Sequence, residues 1–179
     1  MSFPSIVPAE TVSGAPNPTG AVGGPARVIG LGTPFGDDRA GWEVVARLRN
    51  VLPVGTRADA TSDPLVVLDT RPEDGLLVVI DACRGAGPEG SVHRFEWPDP
   101  QLTADGGVSS HGVGLAAALA LAGILGRLPS RVVVFAVEGR SAEPGAGLSR
   151  AVEEALPGVV AHVLAELVAA SNESPGRTR

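Results

Sequence analysis

Three segments of this sequence combine side chains that could do chemistry: Gly30 to Gly41 (GLGTPFGDDRAG), Val78 to Gly90 (VVIDACRGAGPEG), and Gly106 to Ala122 (GGVSSHGVGLAAALALA). In the first, Asp37 and Asp38 follow a glycine-rich turn stiffened by Pro34 and stand at the start of a helix pattern. Glycine permits close approach of the backbone to a ligand. The simpler role for Asp37 is that of a helix N-cap, since an acid there gains roughly 0.3–1 kcal/mol from the helix dipole. A dinucleotide loop is disfavoured because Gly36 falls one position late for G-x-G-x-x-G, and two carboxylates would repel a pyrophosphate. In the second segment Asp81 directly follows a continuous apolar run, so its charged form is costly without a cation or hydrogen-bond donors. Its alternative role is to accept from nearby loop N–H groups. Cys83 reads as a small buried hydrophobe rather than a nucleophile. In the third segment His111 stands at a helix start after Ser109 and Ser110, either of which could cap it. A helix N-terminus disfavours imidazolium and keeps the neutral, metal-binding form.

Two aspartates and a neutral histidine make an oxygen/nitrogen donor set that suits nickel, zinc, manganese or iron and does not choose among them. A cation would relieve carboxylate repulsion and could acidify a bound water for attack on a peptide carbonyl. Gly-x-Ser-x-Gly is missing, and Ser109-Ser110-His111 reads as a cap rather than a serine-nucleophile site. His93 falls on an expected edge strand and His162 in the terminal helix, and neither receives a role.

The elements that must position these groups alternate between strands and helices. Arg27 to Leu31 is an expected first strand, and Gly41 to Leu52 a helix with Trp42, Val45, Leu48 and Leu52 on one face. Val54 to Ala60 is a weaker strand pattern, and Pro64 to Leu68 fits a strand or a helical turn. Gly75 to Ile80 is the clearest buried strand, its unbroken apolar run fitting a parallel sheet covered on both faces. Ser91 to Trp97 is an expected edge strand, Gly112 to Leu128 an Ala/Leu-rich helix, and Arg131 to Val137 another buried strand. Leu148 to Ala170 is the last helix, which Pro157 would kink or split. The pattern predicts a three-layer α/β fold: a mainly parallel sheet of about five strands with helices on both faces. Ligands in such sheets bind beyond the carboxyl ends of the strands, where both acidic motifs fall.

The chain of 179 residues suits one domain over 26–170, flanked by a Pro/Gly-rich tail at 1–25 and a short tail at 171–179. Hydrophobic residues make up 44%, enough to build a core. The formal charge of −6 is dispersed and there is no lysine, which argues against a nucleic-acid surface. The single cysteine excludes an internal disulfide, and the cytoplasm is the expected compartment. The N-terminus lacks a signal-peptide pattern. The apolar stretch Gly112 to Gly126 is shorter than the ~20 residues of a membrane span, so no membrane association is expected.

The residues Gly30-Leu31-Gly32, Asp37-Asp38, Gly41, Val78-Val79-Ile80-Asp81-Ala82, and Ser109-Ser110-His111 before Gly114-Leu115, in this order and spacing, resemble the hydrogenase maturation proteases. The resemblance runs from about Arg27 to about Leu167. It implies an endopeptidase that removes a C-terminal extension from a [NiFe]-hydrogenase large-subunit precursor after nickel insertion. It also implies that Asp38, Asp81 and His111 are the nickel-binding and catalytic residues, with the metal brought by the substrate. A monomer is the expected state. Two departures stand out: Thr33 replaces the usual Asn, and the turn is one residue shorter, so alignment back from Gly41 selects Asp38 while alignment forward from Gly30 leaves Asp37 open. The altered turn keeps a second reading in view, a non-catalytic module that recognises a metal-loaded client. A third is a small-molecule hydrolase on the same scaffold.

Overall fold

Runs of β-branched and aliphatic residues build the centre of the molecule. The computed structural model describes residues 25–103 and 114–173. Its five strands are β1 (Ala26–Leu31), β2 (Thr56–Thr61), β3 (Leu76–Cys83), β4 (Val92–Glu96) and β5 (Arg131–Glu138). They lie in the order β2-β1-β3-β5-β4. All neighbours are parallel except β4, which pairs antiparallel with β5 at the edge. β3 is buried along its whole length, as its apolar run predicts for a strand covered on both faces.

Alternate residues of the strands feed two separate cores. Val28, Val78, Ile80, Val133, Phe135 and Val137 face α1 (Ala40–Leu48) and the long C-terminal helix (Arg150–Glu173). Ile29, Leu31, Leu77, Val79, Val132 and Val134 face the other way. There they meet α2 (Pro100–Thr103), α3 (Leu115–Ile124) and a 3-10 stretch (Pro64–Asp69). The three-layer α/β architecture expected from the sequence is therefore present. Each fully buried aliphatic side chain contributes roughly 1.5–3 kcal/mol against exposure.

Several boundaries differ from the sequence expectation. The first helix is shorter, with a 3-10 turn at Gly36–Arg39 ahead of it and Leu48 as its last residue. Of the two alternatives for Pro64 to Leu68, the helical turn is the one formed, as a 3-10 helix initiated by Asp63, whose side chain accepts from the Leu65 N–H. β3 extends to Cys83, so Asp81 lies inside the strand rather than beyond it. The C-terminal helix, α4, continues through Pro157 to Glu173. Pro157 sits on the exposed side, where the carbonyl that loses its helical donor can face water. Length and apolar content alone would let α4 cross a membrane. Its Val152, Leu156, Val159, Val163 and Leu167 stripe is instead buried against the sheet. Glu166 on the same helix is ion-paired to Arg94 and Arg131 of the strands. α4 is a covering helix of the core.

Candidate active site

The sheet order reverses between β1 and β3: the chain leaves β1 for β2 on one side and returns to add β3 on the other. Open α/β sheets bind ligands at the carboxyl ends of the strands beside such a reversal. Both candidate aspartates lie there. Gly30 of β1 is in register with Ile80, so the end of β1 flanks Asp81 on β3. Asp38 belongs to the 3-10 turn between β1 and α1.

Glycine makes this convergence sterically feasible. A Cβ on Gly30 would lie 2.2 Å from the Gly41 carbonyl oxygen, and one on Gly41 would lie 2.3 Å from the Leu31 carbonyl oxygen. At Gly32, with φ of +148°, a Cβ would meet the Asp38 carbonyl oxygen at 1.8 Å. The glycines thus let the turn and the start of α1 press onto the strand ends. The backbone they admit is the chain's own, not that of a ligand.

Asp38 and Asp81 are both buried, at 5% and 2% exposure. Burial drives the Asp81 carboxyl up, and the negative charge of Asp38 adds to the effect, raising its pKa to about 7. The Ala82 N–H donates to Asp81 Oδ1 at 2.9 Å and opposes this shift without cancelling it. Two buried carboxylates that repel each other form a natural seat for a cation.

Asp37 does different work. Its carboxylate accepts from the N–H groups of Arg140 (2.7 Å), Ser141 (3.2 Å) and Ser149 (2.7 Å). Its own N–H donates to the Ser141 carbonyl at 2.6 Å. Burial pushes its carboxyl up, but the backbone donors outweigh burial and hold it below the ordinary value. Asp37 therefore ties the β1–α1 turn to the β5–α4 loop, and it does not act as the helix N-cap that the sequence suggested. Asp38, not Asp37, is the acid whose charge acts on Asp81.

Glu138, at the end of β5, was not singled out by the sequence reading. It is buried and accepts from the Gly85 N–H (2.5 Å), the Ala86 N–H (2.9 Å) and the Cys83 thiol (3.3 Å). The signal was present: like Asp81, it is an acid ending an unbroken apolar run. Burial, followed by the hydrogen bond to Glu138, raises the Cys83 thiol above its usual range, so this cysteine is a poor nucleophile. His93 is buried on β4 beside Phe95, and His162 stacks on Phe135 with ring centroids 6.2 Å apart.

His111, with Ser109 and Ser110, lies outside the described residues. Among the described residues no group of three His, Cys, Asp or Glu side chains could hold a metal ion. Asp38 and Asp81 are close enough for the charge of one to act on the other.

The hydrogenase maturation protease family model matches residues 54–166, more than half of the chain. The chain belongs to the hydrogenase maturation protease family. It is accordingly a hydrolase acting on peptide bonds. The matched stretch includes Asp81 and His111, while Asp38 lies ahead of it. Among solved structures, the hydrogenase maturating endopeptidase HybD from E. coli aligns with a TM-score of 0.70 and 24% identity, covering 81% of this chain and 93% of its own. The hydrogenase 2 maturation peptidase from a Thaumarchaeota archaeon aligns with a TM-score of 0.59 and 27% identity, over 80% of this chain and 97% of its own. The [NiFe] hydrogenase maturation protease HybD from Thermococcus kodakarensis gives a TM-score of 0.65 and 20% identity, over 80% and 99%. A search of curated protein sequences gives no match.

Proposed function

We propose that this maturation protease removes a C-terminal extension from a [NiFe]-hydrogenase large-subunit precursor once nickel has been inserted, and that the metal arrives as part of the substrate. The observation that carries this reading is the buried pair Asp38 and Asp81 at the sheet reversal, where the charge of one raises the pKa of the other. Such a pair discriminates strongly between a loaded and an empty client. A nickel ion offsets the carboxylate repulsion, whereas an apo client leaves two desolvated acids facing each other.

In this reading Asp38, Asp81 and His111 grip the substrate's nickel, which supplies Lewis-acid polarisation next to the scissile bond. Asp81 holds a proton much of the time near neutral pH in the free protein and yields it when a cation arrives. Asp37 and Glu138 keep the surrounding loops in place through backbone N–H groups. We place the reaction in the cytoplasm, with a monomer as the working unit.

Mass spectrometry tests the reading. Incubating nickel-loaded precursor with the wild type should reduce the precursor mass by a C-terminal peptide. Apo precursor should keep its mass, and Asp81→Ala or His111→Ala should leave even the loaded precursor intact. Equal trimming by all three proteins would remove the assigned roles. A stoichiometric complex whose client never shortens would favour recognition without cleavage.

A further inference from the structure

The rim around Asp38 carries one feature that the carboxylate chemistry does not use. Phe35 is 38% exposed, although Phe95 and Phe135 are buried at 2% and 0%. It stands three residues before Asp38, and Pro34 beside it is exposed as well. Exposure of a large aromatic ring on a loose loop would mean little. This loop, however, is pinned on the C-terminal side of Phe35. The Gly36 N–H donates to the Ala146 carbonyl at 2.9 Å, and Asp37 is bonded through both its N–H and its carboxylate to the β5–α4 loop. A Cβ on Gly36 would meet the Ser141 carbonyl oxygen at 2.3 Å, so the two loops are in backbone contact. The thread is anchored on the other side too, by the Thr33 N–H donating to the Asp38 carbonyl at 3.3 Å.

The other large apolar side chains that are exposed among the described residues lie elsewhere. Val51 and Val54 are in the α1–β2 connection, and Leu65 is in the 3-10 stretch after β2. Leu121, Ile124, Leu125 and Val168 belong to the end of α3, the residue after it and the last turns of α4. Phe35 is the member of this set that belongs to the β1–α1 turn carrying Asp38.

We infer that Phe35 is a substrate-docking and specificity residue, which packs against an apolar side chain of the polypeptide to be cut. This rests on the proteolytic reading above, and it concerns how the client is seated rather than how the bond is broken. A rigid aromatic side chain has few torsions to lose on binding, which is why such rings serve as anchors at protein surfaces. Truncating an anchor of this kind costs at least about tenfold in affinity.

The experiment is steady-state cleavage of nickel-loaded precursor by wild type, Phe35→Ala, Phe35→Leu and Phe35→Asp, with kcat and KM separated and the urea midpoint of each variant measured. The expected result is a KM raised about tenfold by Ala and further by Asp, kcat within about twofold of wild type, and most of the affinity kept by Leu. Urea midpoints should stay close to wild type, because the ring is not part of either core. An unchanged KM in the Ala and Asp variants overturns the inference. So does a loss confined to kcat. If the wild type fails to shorten the precursor, the proteolytic reading is the one that falls. Titration of precursor binding by wild type against Phe35→Ala then decides docking on its own, with equal affinities overturning it.

Discussion

Replacing Asp81 by Asn should make the metal-free protein more stable at neutral and alkaline pH while abolishing its activity. Asp81 is 2% exposed and its pKa is raised from 3.8 in the unfolded chain to about 7. The cause is first burial and then the charge of Asp38. A group whose folded pKa lies above its unfolded value binds more protons in the native state between those two values. Stability must then fall as pH rises from about 4 to about 7, and stay low above. A rise of this size corresponds to at most about 4 kcal/mol, since each pKa unit is worth about 1.4 kcal/mol. Asn has nearly the same shape, carries no charge and keeps an oxygen to accept from the Ala82 N–H. The variant should therefore match the wild type near pH 4 and exceed it by up to about 4 kcal/mol above pH 7. Urea unfolding of both proteins at pH 4.5, 6 and 8 in the presence of a chelator reads the difference. A stability difference that does not change with pH would refute the reasoning, because it would mean that Asp81 ionises in the folded protein at no cost.

Three further perturbations probe the parts that hold the site. Asp37→Asn removes a charged acceptor for backbone N–H groups of Arg140, Ser141 and Ser149 and should destabilise the protein by about 1–3 kcal/mol in thermal melts at pH 7. Since the folded pKa of Asp37 is lowered, its contribution is present above pH 3.8 and lost as pH falls below it, so the cost of the substitution should shrink in acid. Glu138→Gln should cost a similar amount and speed hydrogen exchange at the Gly85 and Ala86 amides specifically; unchanged protection there would contradict the assigned anchoring. Gly32→Ala places a Cβ on the Asp38 carbonyl at a backbone angle that L-residues rarely adopt, and should cost at least about 2 kcal/mol in urea unfolding.

The sequence displayed the central strands because their burial is written in composition. Leu76 to Ile80 and Val132 to Val137 are unbroken apolar runs, and only a strand covered on both faces makes use of such a run. Where those strands stop was less legible, since the last pair of the β3–β5 ladder joins Cys83 to Glu138, a charged residue that composition would assign to a loop. The role of Asp37 was hidden for another reason. Its partners lie 103 to 112 positions away, and no local pattern announces an acceptor for distant loop amides. The shared rim of Asp38 and Asp81 could be anticipated from strand–helix alternation plus the rule that such sheets work at their carboxyl ends. The glycines, by contrast, pointed to a tight approach without revealing that the approaching group is the backbone of Gly41 and Asp38.

The most direct measurement of the central claim is a crystal structure of the protein soaked or grown with nickel. One ion should be bound by the carboxylates of Asp38 and Asp81 and by the imidazole of His111, each at about 2 Å. An imidazole of His111 standing more than about 10 Å from both carboxylates would contradict it, because no single cation spans that gap at such bond lengths.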